Sequence, residues 1–544
     1  MKVWWLMKEI YNDIKINEKG RNILIGGAWP YANNTLHLGH IAALLPGDIL
    51  ARYHRLIGDN VIYVSGSDCH GTPITERAKK ENTTASSIAE KYHEEFVESF
   101  NKMNFSYNLY SKTESKYHMD EVQKIFKSMY DNGYIYEKID KDNYCLTCNK
   151  FVQDRDLTLT CPECGEISKG DQCDCGHVFN KEELVGAKCI TCNNETATKD
   201  NKNLYISLSK LQGQIEEYVK TYESKWRKNA QNETNKYLSQ GLPDRAVTRN
   251  LDWGIDIPID GFDDKKMYVW IEAVLGYLTT TMDYCERNKL DYKNWWKKDK
   301  NDIMYMVHGK DNITFHSIIF PGLLLSLKDN YKLPDMIVSS EYLNFNNQKF
   351  SKSKGIGINI LEATEMYNID TLRFHLLRNG PEKKDTSFSE EEYIATHNEI
   401  NNKLGNFINR TLKFKGLASI PEGRMDSNIK SILEKTYKDI SFYMEKIEFK
   451  EVTNIIINLL DRVNKYYDEE MPWISFKEDI NKFNNTIYTC AVSIANIANY
   501  IEPIMPNTSK KIREYLNINE CKWEYTLVES NLNLPPIEAL FNRI

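Results

Sequence analysis

The amino-acid sequence predicts a parallel α/β sheet that is interrupted by a cysteine-rich insertion and followed by an all-helical region. Three observations carry that reading. Residues 23–27 (Ile-Leu-Ile-Gly-Gly) are an apolar run ending in glycines, then a polar loop leads into helical apolar spacing over 37–57 and a second strand pattern at 60–65. Further on, residues 303–307 (Ile-Met-Tyr-Met-Val) run into His308-Gly-Lys-Asp311 and an apolar helical stretch from about 314 to 327. From about 396 onward the strand signals vanish and long helical patterns replace them. Strand, polar loop, helix, strand is the order a parallel sheet requires, because parallel strands are joined by crossovers rather than tight turns.

The elements divide the chain as follows. Residues 1–20 are an N-terminal extension, and residues 21–115 and 263–338 are two halves of the sheet domain, with helical patterns at about 87–104 and 114–131. Residues 116–262 form the insertion, with its cysteines at 145–192. Residues 339–395 connect the sheet to a helical domain over 396–544. A chain of 544 residues is too long for one core, so several domains are expected. At 41% hydrophobic and 27% charged residues the composition is that of an ordinary globular protein. No stretch approaches the roughly 18 apolar residues that would cross a membrane, and the apolar start meets charge too soon for a secretory leader. A cytoplasmic protein is expected, and the sequons at Asn33, Asn194 and Asn232 are chance matches there. The net charge of −7 neither announces nor excludes a nucleic-acid partner, since a local basic face decides that.

Twelve cysteines stand out. Eight lie between Cys145 and Cys192, as the pairs Cys145/Cys148, Cys161/Cys164, Cys173/Cys175 and Cys189/Cys192. In a reducing compartment clustered pairs mean metal rather than disulfides. Two-residue spacing lets both sulfurs of a tight knuckle face one Zn²⁺, and two knuckles complete a tetrahedron. Three pairs have that spacing. The third has a single intervening residue, and His177 stands nearby as a substitute ligand.

Two short motifs point to phosphate chemistry. His37-Leu-Gly-His40 stands where a helix starts after a strand and a loop holding Trp29-Pro30-Tyr31. Helix N-termini suit phosphate, Gly39 lets a nucleotide approach the backbone, and imidazoles donate to phosphoryl oxygens. The second motif, Lys349-Phe-Ser-Lys352-Ser353 with Lys354 and Gly355, offers cations to a polyphosphate that gathers charge in a transition state. Each motif alone is as consistent with a solvated surface as with a site.

Together and in this order, the two motifs resemble the signatures of class I aminoacyl-tRNA synthetases. The resemblance implies a Rossmann-type catalytic domain in which an amino-acid carboxylate attacks the α-phosphorus of ATP. By position, His37 and His40 stabilise the ATP phosphates and Lys352 neutralises the leaving pyrophosphate. Gly39, Gly309 and Lys349 contact the nucleotide, Asp311 holds the ribose, and Mg²⁺ rides on the triphosphate. Ala28-Trp-Pro-Tyr-Ala-Asn33, Ser67-Asp-Cys-His-Gly-Thr-Pro73 and Tyr268-Val-Trp-Ile-Glu-Ala273 resemble methionyl-tRNA synthetases specifically, from about residue 23 to 475. That likeness implies L-methionine as substrate, with Trp29, Tyr31, Trp270, Ala273, Tyr277 and His316 around its side chain and Asp68 against its ammonium. Trp29, Tyr31, Trp270, Tyr277 and Phe320 are expected to form one aromatic wall, which suits a thioether. Trp29, Phe350 and Val274 depart from residues common in such enzymes. The same likeness assigns one Zn²⁺ to Cys145, Cys148, Cys189 and Cys192, and a second to Cys161, Cys164, Cys173 and Cys175. The insertion is too short for the editing domain of the leucine, isoleucine and valine enzymes.

In the helical part, Ile400, Leu404, Phe407 and Ile408 form one stripe and Asn402, Asn406, Asn409 and Lys413 the opposite one, with Arg410 on its flank. Met471-Pro-Trp473 ends a later helical run. The resemblance makes Asn406, Arg410 and Trp473 the readers of the anticodon of initiator and elongator tRNA(Met), 339–395 the region that touches the tRNA stem, and 396–544 a helical-bundle anticodon-binding domain. A monomer is expected. A binding-only paralogue would lose signature residues, yet His37, His40, Asp68, Asp311 and Lys352 all stand. A cysteine-specific enzyme would place a thiol on zinc at the pocket, whereas these cysteines lie in the insertion.

Overall fold

The computed structural model describes residues 9–152, 156–169, 179, 183–297, 301–346, 357–542 and 544. Its centre is a six-stranded sheet made of Ile10–Tyr11 (β1), Asn22–Gly27 (β2), Asn60–Ser67 (β3), Leu109–Lys112 (β4), Ile303–Gly309 (β5) and Met336–Ser340 (β6), in the order β1-β4-β3-β2-β5-β6. All neighbours run parallel except the edge strand β1, which is antiparallel to β4. Every residue of β3 and β6 is buried, as expected of strands covered on both faces. The chain leaves β2 in one direction through β3 and β4, then returns to β5 and continues the other way. The crevice at the C-terminal ends of β2 and β5 is therefore the topological switch point, where open α/β sheets bind ligands.

Helix α1 (Leu38–Leu56) crosses between β2 and β3, and helix α2 (Val269–Arg287) covers the opposite face of the sheet. The α2 side is packed closely enough that a side chain at Gly26 of β2 would stand 2.8 Å from the Tyr277 ring and 2.9 Å from the Met306 sulfur. The expected helix after β5 is present but not regular. Residues Lys310–Asn312 make a 3-10 turn, Phe315–Ile319 a π turn, and the α-helix proper is Phe320–Ser326. π turns are local bulges that recur at functional sites.

The insertion leaves the sheet domain as a long antiparallel ribbon. Ile135–Cys145 pairs with Ala197–Ile206 from Ile135↔Ile206 to Tyr144↔Ala197, which carries Cys145 and the knuckles out to the far end. Beyond the sheet, helices Glu390–Ile400, Asn406–Leu412, Ser427–Glu445, Phe449–Glu470 and Ile480–Ile501 build the helical part. The stripe Ile400, Leu404, Phe407 and Ile408 is buried there, and a single apolar cluster runs from the α1 face of the sheet into the helices.

One buried guanidinium ties these parts together. Arg373, on helix Ile369–Arg378, is fully buried and bonds Asp48 of α1 at 2.6 Å. It also donates to the carbonyls of Met103 (2.9 Å), Pro503 (3.1 Å) and Ile504 (2.8 Å). Asp48 further accepts from Arg52 at 2.9 Å and from the Ser106 backbone and hydroxyl, both at 2.6 Å. Burial alone would raise the Asp48 carboxyl, but Arg52 and Arg373 hold it down at about 2. Its contribution to stability is therefore present above about pH 4 and is lost as the pH falls towards 2. Asp48→Asn leaves the buried Arg373 without its carboxylate partner and should cost about 3–5 kcal/mol. The expected result is a marked fall in melting temperature at pH 7, with a smaller gap from the parent protein at acid pH. An unchanged melting temperature would refute this assignment.

Candidate active site

The loop after β2 delivers His37 to the N-cap of α1. The His37 ring accepts from the Gly39 backbone N–H and the His40 ring accepts from the His37 backbone N–H, both through Nδ1 at 3.1 Å. The motif is thus a capping box built from two histidines. A backbone N–H only donates, so both Nδ1 atoms are acceptors, and in the neutral rings each proton sits on Nε2. The rings lie 3.9 Å apart and half-buried at the helix N-terminus, where backbone N–H groups favour anions.

Across the switch point, β5 ends at Gly309, where an added Cβ would meet nothing within 4 Å and would project into open space. Asp311 is exposed and accepts a hydrogen bond from the Tyr342 hydroxyl. Lys310 is spent on Glu341 and Asp385, both at 2.8 Å. His37, Gly39, His40, Gly309 and Asp311 all line one cleft of about 870 Å³, together with Trp29, Tyr31 and Trp270. Lys349 and Lys352 lie outside the described residues. The chain beyond them returns to the cleft, where Asn359 bridges to His37 and the Ile360 N–H donates to the Leu36 carbonyl at 3.1 Å.

Beside the cleft lies a compartment of packed side chains. The Tyr31 ring meets Trp270 edge-on at 5.7 Å, and Trp270 stacks on Phe315 at 4.3 Å. Asp68, Ala273, Tyr277 and His316 are buried behind this group and do not line the cleft. The expected aromatic wall is split. Trp29 is wedged between Gly66 and Gly276, where an added Cβ would approach its ring to 2.5 and 2.6 Å. Phe320 is fully buried against Tyr277 and Trp296, so it belongs to the core. Phe315 takes the place in the wall that the sequence reading missed, since the π turn changes which face of the segment it occupies. His316 donates from Nδ1 to the Asn312 carbonyl at 2.8 Å, so its Nε2 accepts from the Tyr277 hydroxyl at 2.8 Å. Burial pushes this imidazole down to about 4, and it is neutral at physiological pH.

Asp68 is held by the chain itself. Its N–H donates to the Pro30 carbonyl at 2.9 Å and its carbonyl accepts from Ala32 at 2.8 Å. Burial, then the charge of Glu272, push its carboxyl well above the usual range. Glu272 and His70 form a buried pair at 2.9 Å, and Trp253 packs edge-on against His70. None of these three was singled out from sequence. Glu272 and Trp253 lie far from Asp68 along the chain, so only the fold brings them together.

At the end of the ribbon the sulfurs of Cys145, Cys148, Cys189 and Cys192 lie within 4.8 Å of one another. Cys145 and Cys192 are 3.4 Å apart, and Cys148 and Cys189 are 3.9 Å apart. A tetrahedral zinc site with bonds of about 2.3 Å has sulfur–sulfur edges of about 3.8 Å, so this cluster fits the ion. Both knuckles turn through a left-handed asparagine, Asn149 at φ 53° and Asn193 at φ 59°. Cys161 and Cys164 make a third knuckle closed by Gly165 at φ 76°, whereas Cys173, Cys175 and His177 lie outside the described residues.

In the helical part, Asn406 is exposed, and Arg410 lies over the Tyr467 ring at 4.3 Å while pairing with Asp468. Helix Phe449–Glu470 stops at Met471, whose left-handed backbone (φ 46°) and following Pro472 redirect the chain and leave Trp473 46% exposed. Its indole lies 6.2 Å from Tyr467, so Arg410 and Trp473 flank one tyrosine that the sequence reading passed over.

Comparison with known proteins agrees with this arrangement. The chain is 45% identical over 529 residues to methionine–tRNA ligase 1 of Alkaliphilus oremlandii, covering 96% of this chain and 97% of that one. It is 44% identical over 530 residues to methionine–tRNA ligase of Bacillus mycoides, with the same coverage. The crystal structure of Mycobacterium tuberculosis methionyl-tRNA synthetase bound by methionyl-adenylate superposes with a TM-score of 0.79 at 21% identity, over 96% of this chain and all of that one. Residues 419–541 match the anticodon binding domain of methionyl tRNA ligase. Residues 23–412 match the model of tRNA synthetases class I (M), and the chain belongs to that family.

Proposed function

We propose that the protein activates L-methionine with ATP and transfers the methionyl group to initiator and elongator tRNA(Met), releasing pyrophosphate and then AMP. The observation that carries this reading is the pairing at the switch point of a histidine capping box at a helix N-terminus with a group of packed aromatics and buried carboxylates. In this reading the methionine carboxylate attacks the α-phosphorus of ATP, the bond to the bridging oxygen breaks, and pyrophosphate leaves. The Nε2–H groups of His37 and His40 stabilise the phosphoryl charge, with Gly39 and Gly309 leaving room for the nucleotide and Asp311 binding the ribose. Lys349 and Lys352 neutralise the pyrophosphate, and a Mg²⁺ ion carried on the triphosphate would lower its charge. Such chemistry is mostly positioning and charge stabilisation.

Asp68 pairs with the substrate ammonium, and arrival of that cation restores the ionised carboxylate which burial disfavours. Trp29, Tyr31, Trp270, Ala273 and Tyr277 surround the thioether, with His316 fixing the Tyr277 hydroxyl. Cys145, Cys148, Cys189 and Cys192 would hold a Zn²⁺ that folds the ribbon tip, and Cys161, Cys164, Cys173 and Cys175 a second, with His177 as a substitute ligand. Asn406, Arg410 and Trp473 read the anticodon, the protein working as a monomer in the cytoplasm.

The direct test is ATP–pyrophosphate exchange with each of the twenty amino acids. Methionine alone should support rapid exchange, and Lys352→Ala should slow it by orders of magnitude with methionine affinity near the parent value. Preference for another amino acid would overturn the assignment. Elemental analysis should find at least one zinc per chain. Cys189→Ser should lower that content and raise protease sensitivity between 135 and 206, because metal binding is folding energy there. Trp473→Ala should leave exchange intact and cut charging of tRNA, since a stacked base is worth about 1–3 kcal/mol. Intact charging in a stable Trp473→Ala protein would remove this residue from the anticodon surface.

A further inference from the structure

Asp68 and Glu272 are two buried carboxylates on elements that face each other, the first on the loop after β3 and the second in the opening turn of α2. One residue joins them. His70 bonds both Glu272 oxygens through Nδ1, at 2.9 and 3.0 Å, and its backbone N–H donates to Asp68 Oδ1 at 3.3 Å. Trp253 closes the remaining side, with its ring 5.4 Å from the imidazole and its indole N–H on the Cys69 carbonyl at 2.8 Å. Both ends of the pair adjoin pocket residues along the chain. His70 follows Asp68 by two positions, and Glu272 stands between Trp270 and Ala273.

Among the described residues no Lys, Arg or His side chain pairs with the Asp68 carboxylate, whereas Glu272 has His70. We infer that the His70–Glu272 bond is a latch that positions Asp68 for the ammonium of the amino-acid substrate. This rests on the proposed assignment of Asp68 to that ammonium. By tying the loop to α2, the latch holds the His70 N–H against Asp68 Oδ1 and fixes where the carboxylate points. Because His70 compensates Glu272, Asp68 is left as the carboxylate that awaits a cation. The charged and titratable groups around His70 are Glu272 on α2, Glu114 after β4, Lys266 before α2, Asp68 on its own loop and His118 on the helix Lys116–Asp131. His70 and Glu272 act through Asp68 and are positioning residues.

The test separates positioning from bulk stability. In exchange assays Glu272→Ala should raise the methionine KM by about tenfold or more while the ATP KM and kcat stay within a few-fold, because an ammonium contact binds ground and transition states alike. Glu272→Gln keeps an acceptor for the His70 N–H and should restore the methionine KM to within about threefold of the parent. His70→Ala should match Glu272→Ala, and combining the two should add little, as coupled sites do. An inhibitor lacking the ammonium, 2-hydroxy-4-(methylthio)butanoate, should bind the parent and Glu272→Ala equally. If Glu272→Ala does not fold, His70→Ala with Glu272→Gln carries the comparison. A lowered melting temperature with methionine KM within about twofold of the parent in the folded variants would overturn the latch and leave the function standing. Absence of methionine-dependent exchange in the parent protein would instead overturn the function.

Discussion

The fold depends most on the ion pair between Arg373 and Asp48. A fully buried guanidinium is expensive to desolvate and is tolerated only when its donors are used. Here they meet one carboxylate and four backbone carbonyls from separate parts of the chain. Asp48 lies on the helix whose first turn is the histidine capping box, and the Pro503 and Ile504 carbonyls belong to the turn that follows the long helix Ile480–Ile501. The orientation of the helix that carries the histidine cap and that of the helical bundle are thus set by the same side chain. Both parts share one apolar cluster rather than two cores joined by a linker.

With that frame in place, the site divides into two media. The cleft at the ends of β2 and β5 is open to solvent and lined by both polar and apolar groups. The compartment behind Trp270 and Phe315 is buried, and charges there depend on local partners. The neutral His316, the elevated Asp68 and the His70–Glu272 pair all follow from that burial. Electrostatic contacts count for more in the second medium than in the first, so recognition of a small zwitterion belongs there.

Much of this was legible in the sequence because it is local. Strand periodicity, the glycine-ended β2, the cap at His37 and the knuckle spacings each depend on residues within a turn or two of one another, and the structure has a strand, a cap and knuckles at those places. What escaped notice is what depends on register between distant segments. His70 and Trp253 meet only after the insertion has closed on the sheet, and Tyr467 joins Arg410 to Trp473 only across two helices. Phe320 lies in the core rather than in the expected aromatic wall, and Phe315, which carried no expectation, stacks on Trp270; a π turn is invisible to a 3.6-residue period. An aromatic in an apolar helix reads the same whether it faces a ligand or the core.

The wedge of Trp29 between Gly66 and Gly276 has a historical consequence. The indole occupies space that any Cβ at either glycine would claim, on strand β3 and on helix α2. The two glycines differ in what else they meet. A Cβ at Gly66 would also stand 2.7 Å from the Ser111 carbonyl of the neighbouring strand, so that position is held to glycine by the backbone whatever occupies position 29. At Gly276 the nearest atoms all belong to the indole. Gly276 and Trp29 are therefore epistatic: glycine at 276 must precede tryptophan at 29, and it cannot drift until position 29 shrinks again.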